Sequence, residues 1–259
     1  MVTWIVQTNV EPESTSPGLL RRACEELELP FVGVSITPGA PSLPELPEVA
    51  TPAVFHGRNT LIRCALEHPT WQKGVFFSPE SFHHDAYVAG FGADLLNAGA
   101  RTLTFDELLC ADYAPSTTLF VRPYDDSKRF TGQIIRFSRS RELYDSLGGA
   151  TRDVGALSVV VAEVREIDAE WRLFLVDSRV VSGSMYRPSA ERSVPKELVE
   201  FAEAAASRWT PAPVFVMDVA RVEHTWKIVE CNCFNGSRFY ESDVSAIVRA
   251  VSRFQEEAW

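Results

Sequence analysis

VFVMDVARVEHTWKIVECNCFN, residues 214–235, reads as two strands joined by a short polar turn. The first run is Val214–Val219 and the second Trp226–Asn232, both rich in β-branched and aromatic residues, as paired strands are. Their charges are placed oddly. Asp218 interrupts an apolar run, where an unpaired carboxylate is expensive. Side chains alternate along a strand, so Glu230 and Asn232 share one face. A connecting loop of odd length would put Asp218 opposite Glu230 on that face. Carboxylates so placed repel unless a cation separates them, and a hard ion such as Mg²⁺ holding phosphate oxygens suits such ligands. The other reading is a strand pair whose ends carry ordinary polar residues.

The rest of the chain bounds the answer. Its 259 residues allow one large domain or two smaller ones, and 46% hydrophobic residues are enough for a sizeable core. The net charge of -10 makes the chain a poor non-specific binder of nucleic acid or anionic membrane. No apolar run approaches the ~20 residues that span a bilayer. The start, MVTWIVQTNVEPES, lacks the pattern of a signal peptide and reads as a first strand. The five cysteines are mostly scattered, which fits reduced thiols in a cytoplasmic protein. Cys231-x-Cys233 has no second Cys or His pair at zinc spacing.

Taken in order, Thr3–Gln7 is a strand, Ser16-Pro17 opens a helix, and Phe31–Ile36 is a second strand. This strand–helix–strand unit favours a parallel sheet. Pro38–Pro52 reads as an irregular loop, Ser81–Asn97 as a helix interrupted near Gly90 and Gly92, and Thr104–Glu107 as a capping box. Residues 1–115 thus form an α/β unit, with Ala114-Pro115-Ser116 as the boundary. Beyond it come the strands Thr118–Pro123 and Gly132–Phe137, the apolar strand LSVVVAEV (157–164), and two alternating runs flanking Asp177-Ser178, a hairpin signal. A helix at Pro195–Arg208, the 214–235 strand pair and a helix at Ser242–Glu257 complete an α+β half dominated by antiparallel sheet.

Several residues could carry chemistry. Lys128, in VRPYDDSKRFTGQII, lies between two strands among small residues and could meet phosphate as a mobile point charge, or be a solvated turn lysine. Arg122 ends a strand before Pro123, where its guanidinium could fork onto a carboxylate or phosphate, or form a surface ion pair. Glu170, Arg172 and Phe174 share a strand face; the anionic partner of Arg172 is Glu170 or a ligand phosphate. Arg187 could approach the same place from the facing strand. The polar break after 159–164 offers backbone groups to a flat heterocycle, with Leu173, Phe174 and Met217 as walls or as plain core. His83-His84 reads as a surface pair, because adjacent helical residues diverge. There is no G-x-x-x-x-G-K-[ST] loop, no G-x-G-x-x-G after a strand and no G-x-S-x-G elbow.

With VRPYDDSKRFTGQ, VVAEVREIDAEWRLFLVDSRVVSGSMYR, VFVMDVAR and IVECNCFNGSRFY in that order, the chain resembles the ATP-grasp superfamily. In particular it resembles the compact bacterial and phage clade named for two arginines and a lysine. The resemblance covers Thr117–Tyr240, and more loosely HGRNTLIRCALEHPTWQKGVFF and DLLNAGARTLTFDEL upstream. It implies an ATP site between two α+β subdomains, 116–164 and 165–259, whose antiparallel sheets enclose a nucleotide cleft. Lys128 would bind ATP phosphates, and Glu163 and Val164 would meet adenine. Arg172 would be one signature arginine, with Arg187 or Arg122 the second. Asp218, Glu230 and Asn232 would hold Mg²⁺.

The activity so implied is ADP-forming ligation of a carboxylate to an amine or thiol through an acylphosphate, with small-molecule or peptide substrates. The alternatives are an ATP-dependent phosphotransferase and a non-catalytic nucleotide-binding or scaffold module. One departure concerns the last motif. Where many members of the superfamily read E-x-N-x-x-P-G, this chain has Glu230-Cys-Asn232-Cys-Phe-Asn235-Gly, so the loop that often borders the acceptor differs.

Overall fold

The computed structural model describes residues 1–9, 15–37, 52–126 and 129–259. The expected loop at 38–52 lies almost wholly outside them, as does Lys128. The first part runs β1 (Thr3–Gln7), α1 (Ser16–Glu26), β2 (Phe31–Val34), β3 (Ala53–His56) and α2 (Asn59–Glu67), followed by α3 (His84–Phe91). As the strand–helix–strand pattern predicts, β1–β3 form a parallel sheet, in the order β2-β1-β3. Next come β4 (Arg101–Thr104), α4 (Phe105–Leu109), β5 (Thr118–Pro123), β6 (Gln133–Arg136), α5 (Ser140–Ser146) and β7 (Ser158–Glu163). Helix α4 opens with the expected capping box: Glu107 N–H donates to Thr104 Oγ1 at 3.2 Å, and Thr104 N–H donates to Glu107 at 2.7 Å. The last part is β8 (Ala169–Val176), β9 (Arg179–Arg187), α6 (Lys196–Arg208), β10 (Val214–Val222), β11 (Thr225–Cys233) and α7 (Val244–Ala258).

Two four-stranded antiparallel sheets face the site, β4-β7-β5-β6 and β11-β10-β8-β9. The boundary expected near 115 falls inside the first of them. β4 pairs with β7, from Arg101↔Val161 to Thr104↔Ser158, and Phe105 and Leu108 of α4 join that sheet's core. The parallel sheet has a core of its own on one face, where Ile5, Phe55, Leu61 and Val75 pack together with Cys233 of β11, but it shares the core on the other. Trp4 and Val6 of β1 and Leu20 of α1 pack in one cluster with Phe174, Val216, Phe234 and Val248. The second antiparallel sheet is therefore covered on both faces, by the parallel unit and α7 on one and by α3 and α6 on the other.

The hairpin β10–β11 has the expected pairing but not the expected turn. Its connection is the two residues Glu223 and His224, both at positive φ (49° and 63°), as a tight hairpin turn of this hand demands. An even loop alone would put Asp218 and Glu230 out of register. A β-bulge corrects this: Asp218 faces Glu230 while the next residue, Val219, faces Ile228, leaving Val229 as the extra residue. The odd residue that the face requires thus sits within the strand and not in the loop. Among the described residues, no helix is long and apolar enough to cross a membrane.

Candidate active site

The cleft between the two antiparallel sheets encloses a cavity of about 640 Å³, within the size range of small-molecule sites. At its base Asp218 stands across from Arg172 on β8 and Glu230 on β11. Arg172 forks onto Asp218, Nε donating to Oδ1 at 2.9 Å and Nη2 to Oδ2 at 2.8 Å. The two side chains are 11% and 3% exposed. Burial works against the Arg172 cation, but Asp218 more than offsets it and raises its pKa. The rings of Tyr240 and Tyr186, stacked 5.0 Å apart, lie 5.0 and 5.9 Å from the guanidinium.

The partner of Arg172 is thus Asp218, not Glu170. Glu170 accepts instead from Arg187 Nη1 at 2.9 Å. Arg187 is held at the rim of the cleft with most of its side chain exposed.

Asn232 completes the carboxylate face. Its Nδ2 donates to Asp218 Oδ2 and to Glu230 Oε1, both at 3.2 Å, so one amide bridges two carboxylates. Withdrawal from water and the Asp218 charge push the Glu230 carboxyl above its ordinary pKa, while Arg122 opposes that rise. This donor set fits a hard divalent cation: two carboxylates share one face, and an adjacent amide offers oxygen once turned end for end. The third donor is an amide; among the described residues no three His, Cys, Asp or Glu side chains gather as a metal cluster.

The other expected residues divide clearly. Arg122, at the end of β5, reaches from the first sheet to the second and lies 3.8 Å from Glu230 Oε2. Glu163 and Val164 line the far end of the cleft, where the chain crosses from β7 towards β8. Lys128 has no described position, but Asp126 and Thr131 on either side of it line the cleft. Asp126 Oδ2 accepts from the Cys233 N–H at 3.2 Å, fastening this loop to the end of β11.

Met217 is a correction. It follows the strand alternation away from Asp218 and is fully buried in the core beneath α3 and α6, as is Leu173. Neither is a cleft wall. Phe174 packs on the opposite face against Phe239, with ring centroids 5.3 Å apart.

The histidine pair is not a surface feature. His84 is 2% exposed, and its Nδ1 lies 3.3 Å from Arg122 Nη2. His83 stacks on Tyr124, with ring centroids 5.2 Å apart, and its Nδ1 accepts from the Ala86 N–H. Tyr87, one turn after His84, donates from its hydroxyl to the Cys231 carbonyl at 3.0 Å. Helix α3 thus braces both Arg122 and the strand that carries Glu230 and Asn232. The i,i+3 spacing of His84 and Tyr87 is the signal in the sequence that points to this face.

Burial, and then Arg122, push the His84 imidazole from 6.5 down to about 4. Asp85 acts in the opposite sense and His83 in the same sense. Between those values the unfolded chain holds a proton that the folded chain refuses, so stability falls as pH falls through this window. The contribution of this group is on the order of 2 kcal/mol. Urea denaturation at pH 7 and pH 4.5 should show a shallower acid loss for His84→Asn than for the parent. Equal losses would contradict the assignment.

Fold and cleft together define an ATP-grasp protein. The chain belongs to an ATP-grasp domain family, the third family of the clade named for two arginines and a lysine, whose model matches residues 68–251. Its fold is similar to that of a RimK-domain ATP-grasp protein from Sphaerobacter thermophilus, with a TM-score of 0.61 and 13% identity over 100% of this chain and 98% of that one. It is also similar to the ATP-grasp ligase PsnB, solved with a phosphomimetic variant of its minimal precursor, Mg and ADP. There the TM-score is 0.60 at 13% identity, over 98% and 97% of the two chains. The D-cycloserine synthetase DcsG gives 0.58 at 13% identity over 100% of both chains. At such identities the likeness is one of fold. No curated protein matches the chain.

Proposed function

We propose that the protein is an ATP- and Mg²⁺-dependent ligase that joins a carboxylate to an amine or thiol. Its substrates are small molecules or a peptide terminus. The observation that carries this reading is the single cleft in which Arg122 and Arg172, one from each sheet, meet Asp218, Glu230 and Asn232. Mg²⁺ held by those three oxygens would neutralise the transferring phosphoryl group. Lys128 and Arg122 would hold phosphate oxygens, and Glu163 and Val164 would border the adenine. Arg172 holds Asp218 fixed through its two hydrogen bonds.

The substrate carboxylate takes the γ-phosphoryl group, giving an acylphosphate and ADP. The amine then attacks the acyl carbon, phosphate leaves, and the nitrogen gives up a proton. No protein nucleophile is needed. The PsnB complexes place a peptide precursor on a fold of this kind, which supports including peptides among the substrates.

Incubation with Mg-ATP and a pool of amino acids and short peptides should give ADP, phosphate and a new amide. Lys128→Ala and Glu230→Ala should abolish all three. A phosphorylated product without an amide would instead favour phosphotransfer. Binding without turnover of any acceptor would favour a nucleotide-binding module.

The Glu230→Gln protein separates stability from function. Above its raised pKa the Glu230 carboxylate repels Asp218, and the neutral amide removes that repulsion. The variant is expected to match or exceed the parent in stability by up to about 1 kcal/mol while losing at least ~10²-fold in ADP formation. Thermal denaturation at pH 7 and a coupled ADP assay check the two halves. A destabilised variant with full turnover would refute both.

A further inference from the structure

Arg122 stands between two groups that compete for it. Its Nη2 is 3.3 Å from His84 Nδ1, a hydrogen-bond distance, whereas Nη1 is 3.8 Å from Glu230 Oε2, an ion pair too long to be a hydrogen bond. An arginine can only donate, so His84 Nδ1 must be the acceptor, and the ring carries its proton on Nε2. The placement of the ring is fixed as well. The His84 backbone N–H is committed to the Tyr124 carbonyl at 2.9 Å, which holds the start of α3 against the strand end that bears Arg122. His84 Nε2 and Arg122 Nε are buried and find no other partner among the described residues. The His84–Arg122 contact is therefore the principal restraint on how the guanidinium is turned.

We propose that His84 is a positioning residue, which uses its unprotonated Nδ1 to hold the Arg122 guanidinium back from Glu230. The proposal deepens the ligase reading and rests on it for the purpose of the tether. An unrestrained Arg122 would close the remaining gap and fork onto Glu230, as Arg172 forks onto Asp218. Glu230 would then be occupied by a guanidinium and lost to a cation, and Arg122 would be lost to phosphate. Held at its present distance, Arg122 leaves the oxygens of Glu230 available for Mg²⁺ and keeps its own charge in the cleft.

The test compares two replacements. Asn places an oxygen on Cγ, where histidine has Nδ1; Leu fills the space without an acceptor. In calorimetric titrations with ADP at varied Mg²⁺, His84→Leu should raise the Mg²⁺ concentration for half-maximal nucleotide binding by about tenfold or more. His84→Asn should stay within about threefold of the parent. His84→Gln, whose acceptor lies one bond further out, should behave like leucine and serves where the leucine protein fails to fold. Asn and Leu variants with the same Mg²⁺ dependence would overturn the proposal.

A ligand-free measurement stands apart from the nucleotide reading. In ¹⁵N-histidine NMR at pH 7, His84 should be neutral with its proton on Nε2, and Arg122→Gln should perturb its Nδ1 resonance. A proton on Nδ1 would overturn the tether whatever the cleft binds. Failure of the parent protein to bind Mg-nucleotide, with the NMR result as expected, would overturn the ligase reading and leave the tether without its purpose.

Discussion

Asp218→Ala is expected to cost about 3–5 kcal/mol of folding free energy and to abolish nucleotide turnover. The magnitude follows from what remains. Arg172, 11% exposed, keeps a full positive charge after both of its hydrogen-bond acceptors on Asp218 are gone. What remains is one long hydrogen bond, from Nη1 to the Arg238 carbonyl at 3.4 Å, and the faces of the Tyr186 and Tyr240 rings, none of which carries a compensating charge. Arg172→Met leaves the reverse problem, a 3% exposed carboxylate beside Glu230, and should cost a similar amount. The double variant, Arg172→Met with Asp218→Leu, removes both charges. It should recover most of the loss, because two apolar side chains need no desolvated partner. It should not recover ADP formation. Urea denaturation of the three variants measures the coupling, and simple additivity would contradict the pair as described.

The second large effect lies outside the cleft. Asn235 is fully buried, and its side chain makes three hydrogen bonds to the parallel unit. Oδ1 accepts from the Phe76 N–H at 2.7 Å, and Nδ2 donates to the carbonyls of Phe55 at 2.6 Å and Gly74 at 3.0 Å. Its own carbonyl accepts from the Gly57 N–H at 2.8 Å. Asn235→Ala would strand one donor and two acceptors in the core, each worth roughly 1–3 kcal/mol, and should cost about 4 kcal/mol in all. Asn235→Asp keeps the shape but faces two carbonyls with an acceptor, so it should be at least as harmful. A denaturation midpoint within error of the parent for the Asp variant would contradict this. The departure from E-x-N-x-x-P-G is thereby explained: the residue in the proline's place ties the end of β11 to the parallel sheet.

How much of this can be read from the residues differs by element. The capping box at Thr104 and the hairpin at Asp177-Ser178 are local devices, and both form as their spacing predicts. The carboxylate face of β10 and β11 is equally legible, since alternation alone puts Glu230 and Asn232 together. The means of aligning Asp218 is not, because a bulge at Val229 and an odd loop satisfy the same parity. The same alternation excludes Met217 from the cleft, as the immediate neighbour of Asp218. The pairing of β4 with β7 joins residues far apart in sequence, and a four-residue strand carries no mark of its partner. His84 escapes a reading of the residues for a related reason. Adjacent helical residues do diverge, but which one faces the core depends on packing against Arg122 and β11.

The most direct test of the cleft is calorimetric titration of the whole chain with ATP, with and without Mg²⁺. The parent protein should bind ATP with an affinity that rises with Mg²⁺. Lys128→Ala should weaken binding at every Mg²⁺ concentration, and Glu230→Ala should remove the Mg²⁺ dependence. No binding at millimolar ATP, or binding unchanged by both substitutions, would contradict a Mg²⁺–nucleotide site between the sheets.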